Sequence, residues 1–373
     1  MAGNNQLDQI QKIIEDGDPE ILQKLYRETS CSTLIKQQDI MKIWYGITPL
    51  SKCSDAVLNL ISEILLGETS GLTTAIAEDR EAFMDDPGVP DATKKRCKSM
   101  FSIFRPYEAK LQQDFAVMDK ENAVSMLEKM GTYNVSYMRS NLYALNTYCQ
   151  WRVKAGRPVN DIWLNGQGIS VQDIDFTTAM IEKCYADPSM LVSKIESACS
   201  LYGGYAAPVI AALIWMGFDR EEIIKIKNDE VNMTDHTVRG IPIPYPFLRI
   251  INQYLCTSDV ERPISSGTRK MYLEDIGYLL KRVVTAPNGK PATIGYISTA
   301  LSMSDLSYRD IQSSSRYYQM MLIEDQEKRR ITRADVMAIW QMKVDRKQTM
   351  LSFSDRIIEY QFWRKVFYDP SNN

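Results

Sequence analysis

The chain has 373 residues, of which 45% are hydrophobic and 24% charged, and its formal net charge is -3. That balance excludes a disordered chain, a collagen-like chain and a small disulfide scaffold, and at ~150 residues per domain it predicts two or three domains. The charge is uneven: residues 1–93 hold 7 Lys/Arg against 16 Asp/Glu, while residues 94–373 hold 37 against 31. An acidic N-terminal segment thus precedes a mildly basic body, which leaves a nucleic-acid partner open. The polar N-terminus MAGNNQLDQI has no signal-peptide core, so a cytoplasmic location is expected.

Helical periodicity dominates. Ile10, Ile13 and Ile14 open one amphipathic helix, Ile21, Leu22 and Leu25 continue after DGDP, and Val57 to Leu65 form another that ends at Gly67. The stretch 85–98, DDPGVPDATKKRCK, is expected as a long loop or hinge. After Asn134, Met138, Leu142, Leu145 and Cys149 form one stripe, with Arg139, Asn146, Gln150 and Lys154 outward and Gly156–Pro158 as the stop. NGQG (165–168) is a connector, and Pro188 starts the next helix. The longest apolar run, Tyr205 to Phe218, has 14 residues. A bilayer span needs ~20, so a buried helix is expected and no membrane partner. A helix from DREEIIKIK and a short hairpin at TVRGIPIPYP follow, with helices from Phe247 to the end. The predicted domains are therefore 1–93, 94–186 and 187–373.

The seven cysteines show no CxxC spacing, and the one histidine, His236, lies in a turn-like stretch. Zinc sites and Ser–His–Asp triads have almost nothing to draw on, so no metal or cofactor is expected. Packed, reduced thiols and a surface turn histidine are the simpler readings.

The order of elements carries a resemblance. A helical module ending in NLYALNTYCQWRVKAGRP precedes an apolar helix, then WMGFDREEIIKIKNDEV, a short strand pair and more helices. This resembles the tyrosine recombinase (phage integrase) family over roughly residues 100–373. Met216 to Ile223 and Asp229–Val231 follow the family's first catalytic box, T-G-L-R-x-x-E-L, and 104–127 looks like the entry to its core-binding domain. The resemblance implies a mainly α, tyrosine-recombinase-like fold: a helical core-binding domain, then a mainly helical catalytic-type domain with a small sheet.

Catalysis in that family needs two arginines to neutralise the scissile phosphate, a His and a Lys for proton transfer, and a Tyr nucleophile. Here Asp219 stands at the first arginine, with Arg220 beside it but about 100° away around a helix. Asp219 with Glu222 instead suits a capping box. The hairpin offers Arg239 and no lysine. The second box falls in DLSYRDIQSSSRYYQMM in one of two registers, Leu306 with Arg309 or Arg309 with Gln312, and neither restores His-x-x-Arg. No tyrosine lies between Tyr318 and Tyr360, and Tyr360 sits in an aromatic helix better suited to packing. The resemblance therefore implies a degenerate site and a non-catalytic duplex-DNA-binding protein, of the kind that acts as a phage or prophage repressor or regulator at the bacterial nucleoid.

For DNA contact, Arg309, Gln312, Ser313, Arg316 and Gln319 share one side of a helix, opposite Ile311, Tyr318 and Leu322. Lys94, Lys95, Arg96 and Lys98, then Arg139 with Lys154, then Arg220 and the basic stretch 328–347 are further candidates. Residues 1–93 are expected to pack internally or to meet a regulatory protein, a peptide or a second copy. An active recombinase using Arg220, Arg309 and Tyr360, and a protein-interaction scaffold, are the alternatives.

Overall fold

A computed structural model of the chain describes residues 3–29, 35–53, 55–66, 74–111, 113–164, 168–198, 205–264, 267–283, 292–342 and 348–369. These form 17 α-helices and two three-stranded antiparallel sheets, so the fold is mainly α with a minor β part. Cys31, Cys199, Gly67, most of the NGQG connector, and Lys343, Arg346 and Lys347 lie outside the described residues. The chain divides into two compact units, 1–176 and 177–373.

In the first unit, α1 (Gly3–Asp16), α2 (Pro19–Thr29), α3 (Gln37–Trp44) and α4 (Asp55–Leu66) close around Ile10, Ile14, Leu25, Ile40, Ile43 and Ile61. The stripes of the acidic segment thus bury one another, and Trp44 joins them while Tyr45 stays exposed. The next helices are α5 (Thr74–Asp85), α6 (Asp91–Leu111), α7 (Lys120–Glu128) and α8 (Val135–Lys154). The 85–98 stretch is not one loop. Its two prolines precede Asp91, the Pro90 carbonyl accepts from the Lys94 N–H at 3.1 Å, and KKRCK continues as helix α6. The stripe of α8 is buried as its spacing requires, and Gly156 takes φ 68° just beyond its end.

Helix α5 is bound to the elements that follow 94. Phe83 packs edge-on to Tyr148 and Trp151. Arg80 pairs with Glu108 and, at 3.2 Å, with Asp114; Arg152 pairs with Asp114 at 2.9 Å and Asp79 at 3.3 Å. All five side chains are buried. A boundary at 93/94 would cut this network.

In the second unit, α9 (Thr177–Lys183), α10 (Pro188–Ala198) and α11 (Ala207–Trp215) lead to a one-turn α12 (Arg220–Ile223). DREEIIKIK is therefore not a long helix: after Ile223 the chain tightens, and Ile226 is buried while its carbonyl accepts from Leu279. β1 (Val231–Asn232), β2 (Thr237–Val238) and β3 (Ile241–Pro242) make the expected hairpin with one added strand. After α13 (Tyr245–Cys256) comes a second sheet that the all-helical expectation missed: β4 (Asp259–Ile264), β5 (Gly267–Glu274) and β6 (Arg282–Val283). Lys281 ties it back, donating to the carbonyls of Leu255 (2.6 Å) and Thr257 (2.7 Å) at the end of α13. The chain ends with α14 (Ile294–Met303), α15 (Tyr308–Glu327), α16 (Arg333–Ile339) and α17 (Gln348–Tyr368).

Helix α11 is the centre of this core, buried on every side that carries a large side chain. Helix α15 can press close because Ser313, Ser314 and Ser315 are buried; Ser315 donates to the Trp215 carbonyl at 2.5 Å. The Tyr185 N–H donates to Ser314, and Trp363 of α17 donates to the Tyr185 carbonyl at 3.1 Å. Residues 177–186 therefore fold with the second unit, ahead of the 186/187 boundary read from the sequence.

Candidate nucleic-acid interface

The site begins where the apolar helix α11 ends. Gly217 turns the chain at φ 98°, and Asp219 caps α12. Its carboxylate accepts from the Glu222 N–H, and Glu222 accepts from the Asp219 N–H, each at 2.8 Å. This is the reciprocal capping box that the sequence suggests, so the Asp219 carboxylate is engaged in holding a helix start. Arg220, the next residue, lies over the Tyr308 ring at 4.3 Å.

Tyr308 opens a line on α15. Tyr308, Gln312 and Arg316 are four residues apart, a spacing that stacks side chains along one face. Gln312 Nε2 donates to the Tyr308 hydroxyl at 3.0 Å. Arg316 lies over Trp340 at 4.6 Å, and Arg356 of α17 lies over the same indole at 4.1 Å. Arg356 is neutralised by Glu359 at 2.6 Å, which also accepts from the Tyr317 hydroxyl. Arg220 and Arg316 make no ion pair with a carboxylate among the described residues. Arg220 Nε and Trp340 Nε1 are buried donors without an acceptor there.

Two cations held on rings rather than by acids change the local electrostatics. Burial, and then the like charge of Arg356, hold Arg316 below the ordinary guanidinium value. Burial, and then Asp219, raise the Tyr308 phenol, against the pull of Arg220 and Arg316. The row is a set of donors and positive charge.

The structure distributes the other predicted residues widely. Arg309 is exposed and outside the row; Leu306 is 5% exposed in the core; Ser313, expected on the polar side, is buried. Arg239 adopts φ 49° and closes the hairpin, donating to the Lys225 carbonyl (3.1 Å) and Glu230 (2.9 Å). His236 is exposed in the turn at φ 54°. Tyr360 is 3% exposed and its hydroxyl donates to Glu324 at 2.7 Å. Burial, then Glu324, raise this phenol, so it is neither accessible nor primed to ionise. Sequence reasoning missed Tyr308, Trp340 and Arg356. The i, i+4, i+8 spacing of Tyr308, Gln312 and Arg316 was the available signal.

In the first unit, Lys95 and Lys98 are exposed and Lys94 half-buried on α6. Arg96 leaves that set, since it donates to Asn141 at 3.1 Å and lies over Tyr137 at 5.7 Å. On α8, Tyr143 is 72% exposed, Arg139 half-buried and Lys154 exposed. Exposed tyrosine among lysines and arginine was not anticipated there.

No protein-family model matches the sequence. No curated protein matches it either. Among the described residues, no group of three or more His, Cys, Asp and Glu is placed to hold a metal ion, and no helix is long and apolar enough to cross a membrane.

Proposed function

We propose that the chain is a non-catalytic, sequence-specific duplex-DNA-binding protein on a tyrosine-recombinase-like fold, a phage or prophage transcriptional repressor or regulator working at the nucleoid. The observation that carries this reading is the row Arg220–Tyr308–Gln312–Arg316–Trp340. Arginines that meet rings but no carboxylate keep their charge and N–H donors for phosphate or base-edge acceptors. The exposed cations and tyrosine of α6 and α8 support it as a second basic surface.

Catalysis is disfavoured by the same geometry. Asp219 is spent on a helix cap, and Tyr360 is buried against Glu324. A phosphotyrosyl link would need that hydroxyl exposed and its proton removed. Residues 1–93 are proposed to serve a regulatory protein, a peptide or a second copy.

The test is a binding titration on genomic fragments at several salt concentrations, with a nicked duplex for covalent capture. Log affinity should fall with log salt by ~0.9 per neutralised phosphate, and no adduct should form. Salt-independent association would favour a protein-interaction scaffold, and a phosphotyrosyl adduct would restore the recombinase reading.

A further inference from the structure

The far end of α15 holds a second cationic site whose residues are distinct from the row. Residues 328–331, following that helix, and one face of α17 line a cleft of about 550 Å³, within the ~300–1,000 Å³ typical of small-molecule pockets. Its lining has one carboxylate, Glu324. That group is fully engaged: it accepts from the Tyr360 hydroxyl (2.7 Å) and the Ile331 N–H (2.9 Å) and pairs with Arg364. Arg329 is likewise held, by both oxygens of Asp335 (2.5 and 2.9 Å) and by Glu327 (2.6 Å).

Two cations remain. Lys328 and Arg330 are exposed at the cleft, and neither meets a carboxylate among the described residues. Lys328 ends α15 at φ 51°, the left-handed conformation in which helices commonly terminate. Ile331 and Ile357 supply an apolar wall.

We propose that this cleft is an effector site for a small organic phosphate, its phosphates against Lys328 and Arg330 and its ring or apolar part against Ile331 and Ile357. Helix α17 supplies the link to the row. Arg356 stands one turn before Tyr360, so the helix face that lines the cleft also carries a guanidinium stacked on Trp340. Ligand binding is independent of the DNA reading; the effector role rests on it.

The test titrates ATP and inorganic pyrophosphate into the full chain by calorimetry, beside Lys328→Ala/Arg330→Ala and Arg316→Ala. Both cleft positions are exposed, so an unchanged thermal midpoint without ligand should show the double variant folded. ATP should bind saturably and more tightly than pyrophosphate, at least tenfold more weakly in the double variant, and equally well in Arg316→Ala. Saturating ATP should shift DNA affinity by about fivefold or more. Absent saturable binding, binding indifferent to the double substitution, or binding lost in Arg316→Ala would overturn the site. Weaker DNA binding by the double variant without ATP binding would assign these cations to the nucleic-acid backbone and overturn it too. ATP binding that leaves DNA affinity unchanged would overturn the effector role alone.

Discussion

The two units hold arginines in opposite ways. In the first, Arg80 and Arg152 are surrounded by Asp79, Glu108 and Asp114, and the Tyr148 hydroxyl and the Phe115 N–H add further hydrogen bonds. In the second, Arg220 and Arg316 lie on Tyr308 and Trp340 and make no ion pair with a carboxylate among the described residues, although Asp219 acts on Tyr308 from nearby. A guanidinium enclosed by carboxylates has its charge cancelled, and it serves as an internal tie even where, as in Arg80 and Arg152, the Nε lacks an acceptor. One held on a ring keeps its charge, because a π face stabilises the cation without neutralising it. The pairs differ in burial, Arg80 and Arg152 being buried and Arg220 and Arg316 half-buried, and they differ in the chemistry of the partner.

The largest effect should come from breaking a tie. Arg80→Ala leaves Glu108, which is 0% exposed, without its cation, and removing one member of a buried pair costs about 3–5 kcal/mol. Denaturant unfolding of the variant should show that loss in the first unit. A loss below about 1 kcal/mol would mean that the network is not what binds α5 to α6 and α8, and the contrast would fail on that side.

Arg316→Ala should do the reverse. Its stacking on Trp340 contributes on the order of 0.5–2 kcal/mol to stability, whereas DNA affinity should fall by ~1–3 kcal/mol if it reads a base edge. If it meets a phosphate, the loss should be equal on all sequences and the salt slope should drop by ~0.9. Arg309→Ala is the matched control on the same helix: exposed and outside the row, it should cost less. A larger loss at Arg309 than at Arg316 would move the interface away from the ring-held arginines.

Tyr360→Phe sharpens the comparison within one helix. Arg356 and Tyr360 are neighbours on α17, but Tyr360 is committed to Glu324. Losing a hydrogen bond to a carboxylate that keeps Arg364 and the Ile331 N–H should cost about 1–2 kcal/mol of stability. DNA affinity should not change. Lost DNA binding in a variant that unfolds normally would return Tyr360 to the functional set.

Local patterns were legible in the sequence. The α8 stripe, the Pro188 start, the Asp219–Glu222 cap and the turn at His236 each depend on residues a few positions apart, and each stands where its spacing put it. What failed depended on distance or on mixed signals. Arg80 meets Glu108 and Asp114 across 28 and 34 positions, which no periodicity reports. The β4–β5 pair reads DVERPI and GTRKMYLE, with charge on both alternating faces, so it lacks the in–out pattern that marks a strand. Prolines before KKRCK read as a hinge, yet a proline just outside a helix start leaves the helix intact. At the site, Arg220 and Arg316 were named from the sequence, but the rings that hold them, Tyr308 and Trp340, come from elsewhere in the chain.

The smallest expected effect concerns a surface pair that shows how a carboxylate behaves when only partly enclosed. Lys120, at the start of α7, donates to Asp173 at 2.6 Å, and the Ser170 N–H donates to the same carboxylate at 2.8 Å. The lysine hydrogen bond, then the Ser170 N–H, lower Asp173 from 3.8 to about 2. The sign follows: a carboxylate with a depressed folded value stabilises the fold above its unfolded value near 4 and loses that contribution as pH falls from about 4 through about 2. With 27% of its side chain exposed, Asp173 is screened by solvent, and the change in global stability should be slight. The titration midpoint is the better observable. Followed by carboxyl-carbon NMR, it should stand near 2 in the native chain and rise in Lys120→Met. It should still stay below 3.8, because Ser170 keeps donating through its N–H and hydroxyl. An unchanged midpoint in the variant would show that the capping turn alone holds the charge, and that the lysine, unlike Arg80 in its enclosure, is a bystander.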